Sequence, residues 1–194
     1  MLKKALFLFL MLIATGSQAE TYGNIFPLDT LGDLKEKYPN ANFSKRTPAW
    51  ASKYDAMYSI DGSGLSGTII VKFHDYRPFI KELLSTGGYT EEEVDNFKKV
   101  ANRSDEEALT VSWVRWVPAQ PIPISRFVSK YGKFEKSGFS DEDLEPYRSW
   151  ESKGLVAYLA NDEKSVVRVD YEFTKQERRR AYKAKGLQIP ENLR

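Results

Sequence analysis

The sequence predicts an α+β protein built of two tandem modules, each with short helices packed on an antiparallel sheet. Three observations carry that expectation. The stretch Trp50-Ala51-Ser52-Lys53-Tyr54-Asp55-Ala56-Met57-Tyr58 recurs as Trp150-Glu151-Ser152-Lys153-Gly154-Leu155-Val156-Ala157-Tyr158, returning Trp, Ser, Lys and the final Tyr at one spacing. Each copy follows a helical pattern, Leu31, Leu34 and Tyr38 in one and Ile124, Phe127 and Tyr131 in the other. Both patterns end in a Lys-Tyr pair and then a breaker, Pro39 or Gly132. Each copy also precedes an alternating strand, Ile69, Val71, Phe73 in the first and Val167, Val169, Tyr171 in the second.

Taken in order, residues 1–19 read as a secretory signal. Lys3 and Lys4 supply the positive region, Ala5 to Ala14 the apolar run, and Ser17-Gln18-Ala19 the small-residue cleavage site. The run is too short to span a bilayer, no later segment is apolar enough to do so, and no cysteine follows the site to carry a lipid. An exported chain of this size without cysteine suits a bacterial periplasm, where a core alone can stabilise the fold. The signal holds two of the 29 basic residues and none of the 27 acidic ones, so the remainder is charge-balanced. That balance removes the electrostatic footprint of a nucleic-acid binder.

The first module is expected over residues 20–107. A short strand at Thr21 to Pro27 leads into the first helix. After the recurring stretch, Asp61-Gly62-Ser63-Gly64-Leu65-Ser66-Gly67 turns the chain between two strands. The turn lacks G-x-S-x-G spacing and no helix follows, so neither a nucleophile elbow nor a phosphate cradle is supported. Helices are expected at Arg77 to Leu84 and at Thr90 to Ala101, the latter opened by a Thr90/Glu93 capping box. Residues 102–107 read as a polar connection.

The second module is expected over residues 108–194. Leu109 to Val117 is apolar on both faces and reads as an interior strand whose tryptophans, Trp113 and Trp116, pack in the core. The run Pro118 to Pro123 leads, extended, into the helix at Ile124. Ser140-Asp141-Glu142-Asp143-Leu144-Glu145 reads as a capped helical turn; it lacks the glycine-bearing loop of a calcium site. Strands follow at Gly154 to Ala160 and Val166 to Phe173, joined by a turn at Asn161 to Lys164. A last helix opens on a Thr174/Glu177 capping box and stops at Gly186. It sets Lys175, Arg178, Arg179, Arg180, Lys183 and Lys185 against Glu177 alone.

The catalytic inventory is thin. His74 is the sole histidine, with no positioned serine for a nucleophilic triad and no companion His or Cys for zinc. Paired carboxylates remain as the alternative, a cell-wall or lipid-acting hydrolase, because 27 acids are available and their geometry is invisible in sequence.

The unit of a short helix ending in Tyr-Pro or Tyr-Gly, a Tyr-bearing strand, a turn and an alternating strand resembles the small α+β module of the β-lactamase-inhibitor-protein and outer-membrane-assembly lipoprotein (SmpA/OmlA-like) superfold. Leu31 to Pro39 with Tyr58 to Phe73 carries the resemblance, and Ile124 to Gly132 with Tyr158 to Phe173 carries it again, over about half the chain after the signal. It departs in having neither a lipoprotein cysteine nor a disulfide. The resemblance implies a non-catalytic module whose sheet presents a binding face.

The resulting expectation is an exported, periplasmic or secreted, non-enzymatic protein that binds another envelope protein without a cofactor or metal. It would act as an inhibitor or immunity-type protein for an envelope-acting enzyme, or as an envelope assembly factor. Aromatic anchors are sought among Trp50, Tyr54, Tyr58, Trp150 and Tyr158. The basic residues Arg178, Arg179, Arg180 and Lys183 would steer an acidic partner or meet an anionic envelope surface.

Overall fold

The computed structural model describes residues 24–49, 51–62 and 67–194. The signal and Trp50 lie outside these residues, as do positions 20–23 and the tip of the turn at 63–66. The described chain is α+β. Helix α1 (Leu31–Lys37) precedes β1 (Asn42–Lys45), β2 (Asp55–Asp61) and β3 (Thr68–Asp75). Helices α2 (Arg77–Thr86), α3 (Glu91–Ala101) and α4 (Asp105–Ala108) then lead to β4 (Leu109–Val117). The second half runs β5 (Ile122–Pro123), α5 (Ile124–Tyr131), β6 (Lys136–Ser140), β7 (Glu145–Trp150), β8 (Leu155–Leu159), β9 (Ser165–Tyr171) and α6 (Lys175–Ala184).

All the strands join one antiparallel sheet in the order β1-β2-β3-β4-β9-β8-β7-β6, with β5 pairing on β9. Strands of the first half lie to one side of the β4–β9 seam and those of the second half to the other. The seam is short. Only Val114, Arg115 and Trp116 meet Tyr171, Asp170 and Val169, whereas β4 pairs with β3 at eight positions. The rest of the β4 edge is taken by residues 28–30, through Leu28 N–H to Val111 O, Val111 N–H to Asp29 O and a Thr30/Thr110 bridge. The rest of the β9 edge is taken by β5, Ile122 opposite Val166. Of the short strand expected at Thr21 to Pro27, the described residues 24–27 are not strand, and the chain meets β4 slightly later, at the turn into α1.

Period-two burial assigns the two faces of the sheet. Ala56, Tyr58 and Ile60 of β2 face the core with Ile69, Val71 and Phe73 of β3, and so do Val114, Val169, Tyr171, Leu155, Ala157 and Leu159 across the seam. Helix α1 adds Leu31 and Leu34 to this face and α5 adds Phe127. One continuous core therefore spans both halves. Burial of each Val, Leu, Ile or Phe side chain on this face contributes roughly 1.5–3 kcal/mol, which makes the shared face the main source of stability. The expected division at 107/108 falls between α4 and β4, across this common sheet.

Local signals explain most of the element ends. Thr30 with Asp33, Thr90 with Glu93, and Thr174 with Glu177 form reciprocal capping boxes at the starts of α1, α3 and α6. Ser104 with Glu107 does the same for α4, a helical turn in what reads as a polar connection. Gly154 at φ +63° closes a 3₁₀ turn where a Cβ would collide with the Glu172 carbonyl, so glycine is required. One expected element is replaced. Ser140 to Glu145 is no helix start; it is a four-residue turn joining β6 to β7. Ser140 Oγ accepts from the Asp143 N–H, and Leu144 takes φ +55° to return the strand. The pairing of Lys136–Ser140 with Glu145–Trp150 outweighs the local helical signal.

Candidate functional site

Helices α1 and α5 add their buried side chains to one face of the sheet, and the residues that alternate with the core positions line the opposite face. The register places them in files across the strands. Lys72 lies opposite Trp113, and Ile70 opposite Arg115. Arg115 in turn faces Asp170, and Asp170 faces Val156. Arg168 lies opposite Tyr158, Tyr158 opposite Tyr147, and Tyr147 opposite Gly138 on the edge strand. The Tyr147 ring lies against Gly138 so closely that a Cβ there would overlap it.

Two arginines organise this face. Arg115 donates from Nε to Asp170 Oδ1 and from Nη2 to Asp170 Oδ2, both at 2.7 Å, a bidentate pair across the seam. Its guanidinium lies 4.7 Å from the Trp113 ring centroid. Arg168 lies 3.7 Å over the Tyr158 ring and donates from Nη1 to Asp143 Oδ1 at 2.9 Å. Its Nη2 is 2.9 Å from Asp143 Oδ2 and 3.3 Å from Glu145 Oε2, ion-pair distances without hydrogen-bond geometry. The hydrogen bond from Arg168 holds the Asp143 carboxyl below its usual range. Burial alone would lower Arg168; Asp143, Asp170 and Glu145 outweigh it and keep the guanidinium charged. Burial followed by the Asp170 charge pushes the Tyr158 hydroxyl up. The result is a fixed array of aromatic rings and guanidinium planes whose charges are compensated within the chain.

Toward the other end of the face stand His74 and its neighbours. His74 Nδ1 is 3.7 Å from Asp55 Oδ1, which also lies in the ion pair of Lys72 with Asp55 at 3.1 Å to Oδ2. The His74 ring meets Tyr76 edge-on at 4.4 Å and Tyr54 at 6.3 Å. Beyond the edge of the sheet, Arg77 holds Asp75 and Asp105 at 2.8 and 2.6 Å, fixing the start of α2.

The expected anchors fare unevenly. Trp150 is 1% exposed, and its indole N–H donates to Gly132 O at 2.8 Å among Phe127, Tyr131 and Phe134. Tyr58 is 8% exposed, packs edge-on against Phe73 and donates its hydroxyl to Asp105. Neither can anchor a partner, because both serve the core. Tyr54 is half-buried, its hydroxyl donating to Glu82. Of the four anchors within the described residues, Tyr158 alone belongs to the open array, and Trp50 lies outside those residues. Tyr58 and Tyr158 face opposite sides of the sheet, so the repeated stretch does not occupy equivalent places. An odd register offset exchanges the faces.

The basic helix is also less free than its sequence suggests. Arg178 donates to Phe173 O and Ser112 O, Arg179 donates to Leu193 O, and Lys185 pairs with Asp33 at 3.1 Å. Arg180 and Lys183 remain exposed. The two tryptophans of β4 divide. Trp116 packs against the core and Trp113 stands on the open face. Trp113, Arg115, Arg168, Asp170 and Tyr147 are the site residues that sequence reading missed. Their signal was the alternation of Arg168 and Asp170 along one strand face, matched by Trp113 and Arg115 on another.

Among the described residues, no group of three or more His, Cys, Asp or Glu is placed to hold a metal ion, and no helix is long and apolar enough to cross a membrane. No protein-family model, curated protein or solved structure matches the chain.

Proposed function

We propose that this chain is an exported periplasmic protein, without catalytic activity of its own, that holds another envelope protein against the open face of its sheet. The observation that carries the reading is the array of Trp113, Arg115, Arg168, Tyr158 and Tyr147. Aromatic and arginine side chains dominate binding hot spots, because they bury large rigid surfaces at low entropic cost. Here the two arginines are held in advance by Asp170, Asp143 and Glu145, which reduces the ordering cost of association.

Of the carboxylates in the array, Asp143 does not suit the general-acid role of the hydrolase alternative. A general acid needs its proton held to higher pH, and Asp143 is moved the other way by Arg168. Inhibition of an envelope-acting enzyme, in the manner of an immunity protein, is the form of binding favoured, with an assembly role as the second form.

The test is capture from envelope extract on the immobilised chain, comparing wild type with Trp113→Ala and Tyr147→Ala. Leu187→Ala, exposed beyond α6, is the control. One stoichiometric partner retained by wild type and the control, and lost by both face variants, supports the reading. A partner retained equally by all four overturns it. Mass determination of the chain recovered from the periplasm tests cleavage after Ala19.

A further inference from the structure

The two edges of the sheet differ. Strand β1, at one edge, is four residues long and runs into Lys45, Arg46 and Pro48, the charged and proline-bearing ending that keeps an edge from pairing. Strand β6, at the other, pairs with β7 through five consecutive positions without a bulge. It contains no proline, and its Phe139 is 57% exposed. One row of β6 backbone groups therefore faces away from the sheet. Such an edge accepts another strand, and main-chain hydrogen bonds supply the contact.

The charges around β6 indicate which strand. Lys133 and Lys136 stand at its start, Lys136 paired with Glu151 at 2.6 Å so that Lys133 is the freer cation, and Asp141 and Glu142 stand just beyond its end; all four are exposed. Glu135, the acid between the two lysines, is engaged by the Ser152 hydroxyl and backbone N–H. Asp143 is drawn to Arg168 on the open face and does not contribute to the edge. In an antiparallel pairing of β6 with a second β6, the basic start of each strand lies beside the acidic end of the other, twice by symmetry. A two-fold interface requires this self-complementarity.

We propose that β6 is a self-association edge, joining a second copy of this chain by antiparallel strand addition into one sheet continuous across two protomers. Phe139 of each copy then gains apolar cover from the other. Five residues of strand form a small contact, so the dimer is weak, with a dissociation constant on the order of 10–100 µM.

Sedimentation equilibrium of the purified chain across that range tests this, with two double variants, Lys133→Glu/Lys136→Glu and Asp141→Lys/Glu142→Lys. Wild type shows reversible dimerisation. Each variant alone places like charges together at both ends and associates at least about tenfold more weakly. Mixed in equal amounts, the two variants restore dimerisation, because each now complements the other. Hydrogen exchange in β7 and β8 reports that both remain folded. A wild type that stays monomeric throughout, variants that associate like wild type, or a mixture that stays monomeric while both variants are folded overturns the proposal.

Discussion

Removal of the Asp170 carboxylate tests how the two halves of the sheet are held. Asp170 accepts both hydrogen bonds of Arg115 at 2.7 Å and lies 3.9 Å from Arg168, at a seam of three residue pairs. Its side chain is 10% exposed, that of Arg115 25% and that of Arg168 14%. Removing one partner of a buried ion pair costs about 3–5 kcal/mol, because the charge left behind is poorly solvated. The partial exposure of Arg115 places Asp170→Ala near the lower end, about 3 kcal/mol. In a chain of this length each kcal/mol lowers Tm by about 2–4 °C, so a fall of about 6–12 °C is expected. Replacing both residues, Arg115→Leu with Asp170→Leu, removes the stranded charge and recovers most of the loss. Urea unfolding followed by tryptophan fluorescence measures all three chains. An Asp170→Ala cost below about 1 kcal/mol, or a double variant no better than the single, would show that the pair does not secure the seam.

The remaining expectations concern other parts of the fold. Trp150→Ala deletes a buried indole and its bond to Gly132 O, and should cost about 3–5 kcal/mol in the same unfolding assay. Glu177→Ala removes the acceptor shared by Thr174 and the Tyr171 hydroxyl, and should cost about 2–3 kcal/mol with selective loss of protection in α6. Acid should destabilise the protein through Asp143 and Asp105, whose carboxyls are held below the usual carboxylate range by hydrogen bonds from Arg168 and Arg77. Their contribution is fully present above the unfolded carboxylate range, at about pH 4, and is lost as pH falls below it through the folded values. Arg77→Met should flatten the Asp105 part of the stability profile, and an unchanged acid limb would show that the Arg77 pair does not contribute. Reversing Arg180 and Lys183 to Glu should leave the unfolding midpoint within about 0.5 kcal/mol of wild type. A larger loss would show that these side chains serve the fold.

Much of the architecture was legible because it is written in local periodicity. The alternation of Ile69, Val71 and Phe73, the run Leu109–Val117, and the capping boxes at Thr90 and Thr174 all stand where the residues indicated. Strands β1, β6 and β7 were not legible. Residues such as Lys136-Ser137-Gly138-Phe139-Ser140 have no strong alternation, and their strand state comes from partners supplied by the fold. The face proposed to bind was hidden for a related reason. Anchors were sought in a repeated stretch, but a side chain's face depends on register, which sequence similarity over nine residues does not fix. Tyr58 and Trp150 turned inward, while Arg115 and Asp170 became a site only when β4 and β9 met.

The central claim is that the uncovered face of the sheet is where the chain meets its partner, and a hydrogen-exchange footprint of the chain with its captured partner measures that most directly. A partner seated on that face adds protection along β3, β4, β9 and β8 and leaves α1 and α5 unchanged. Protection confined to α6 or to the α2–α3 hairpin, with those strands exchanging as in the free chain, would contradict it.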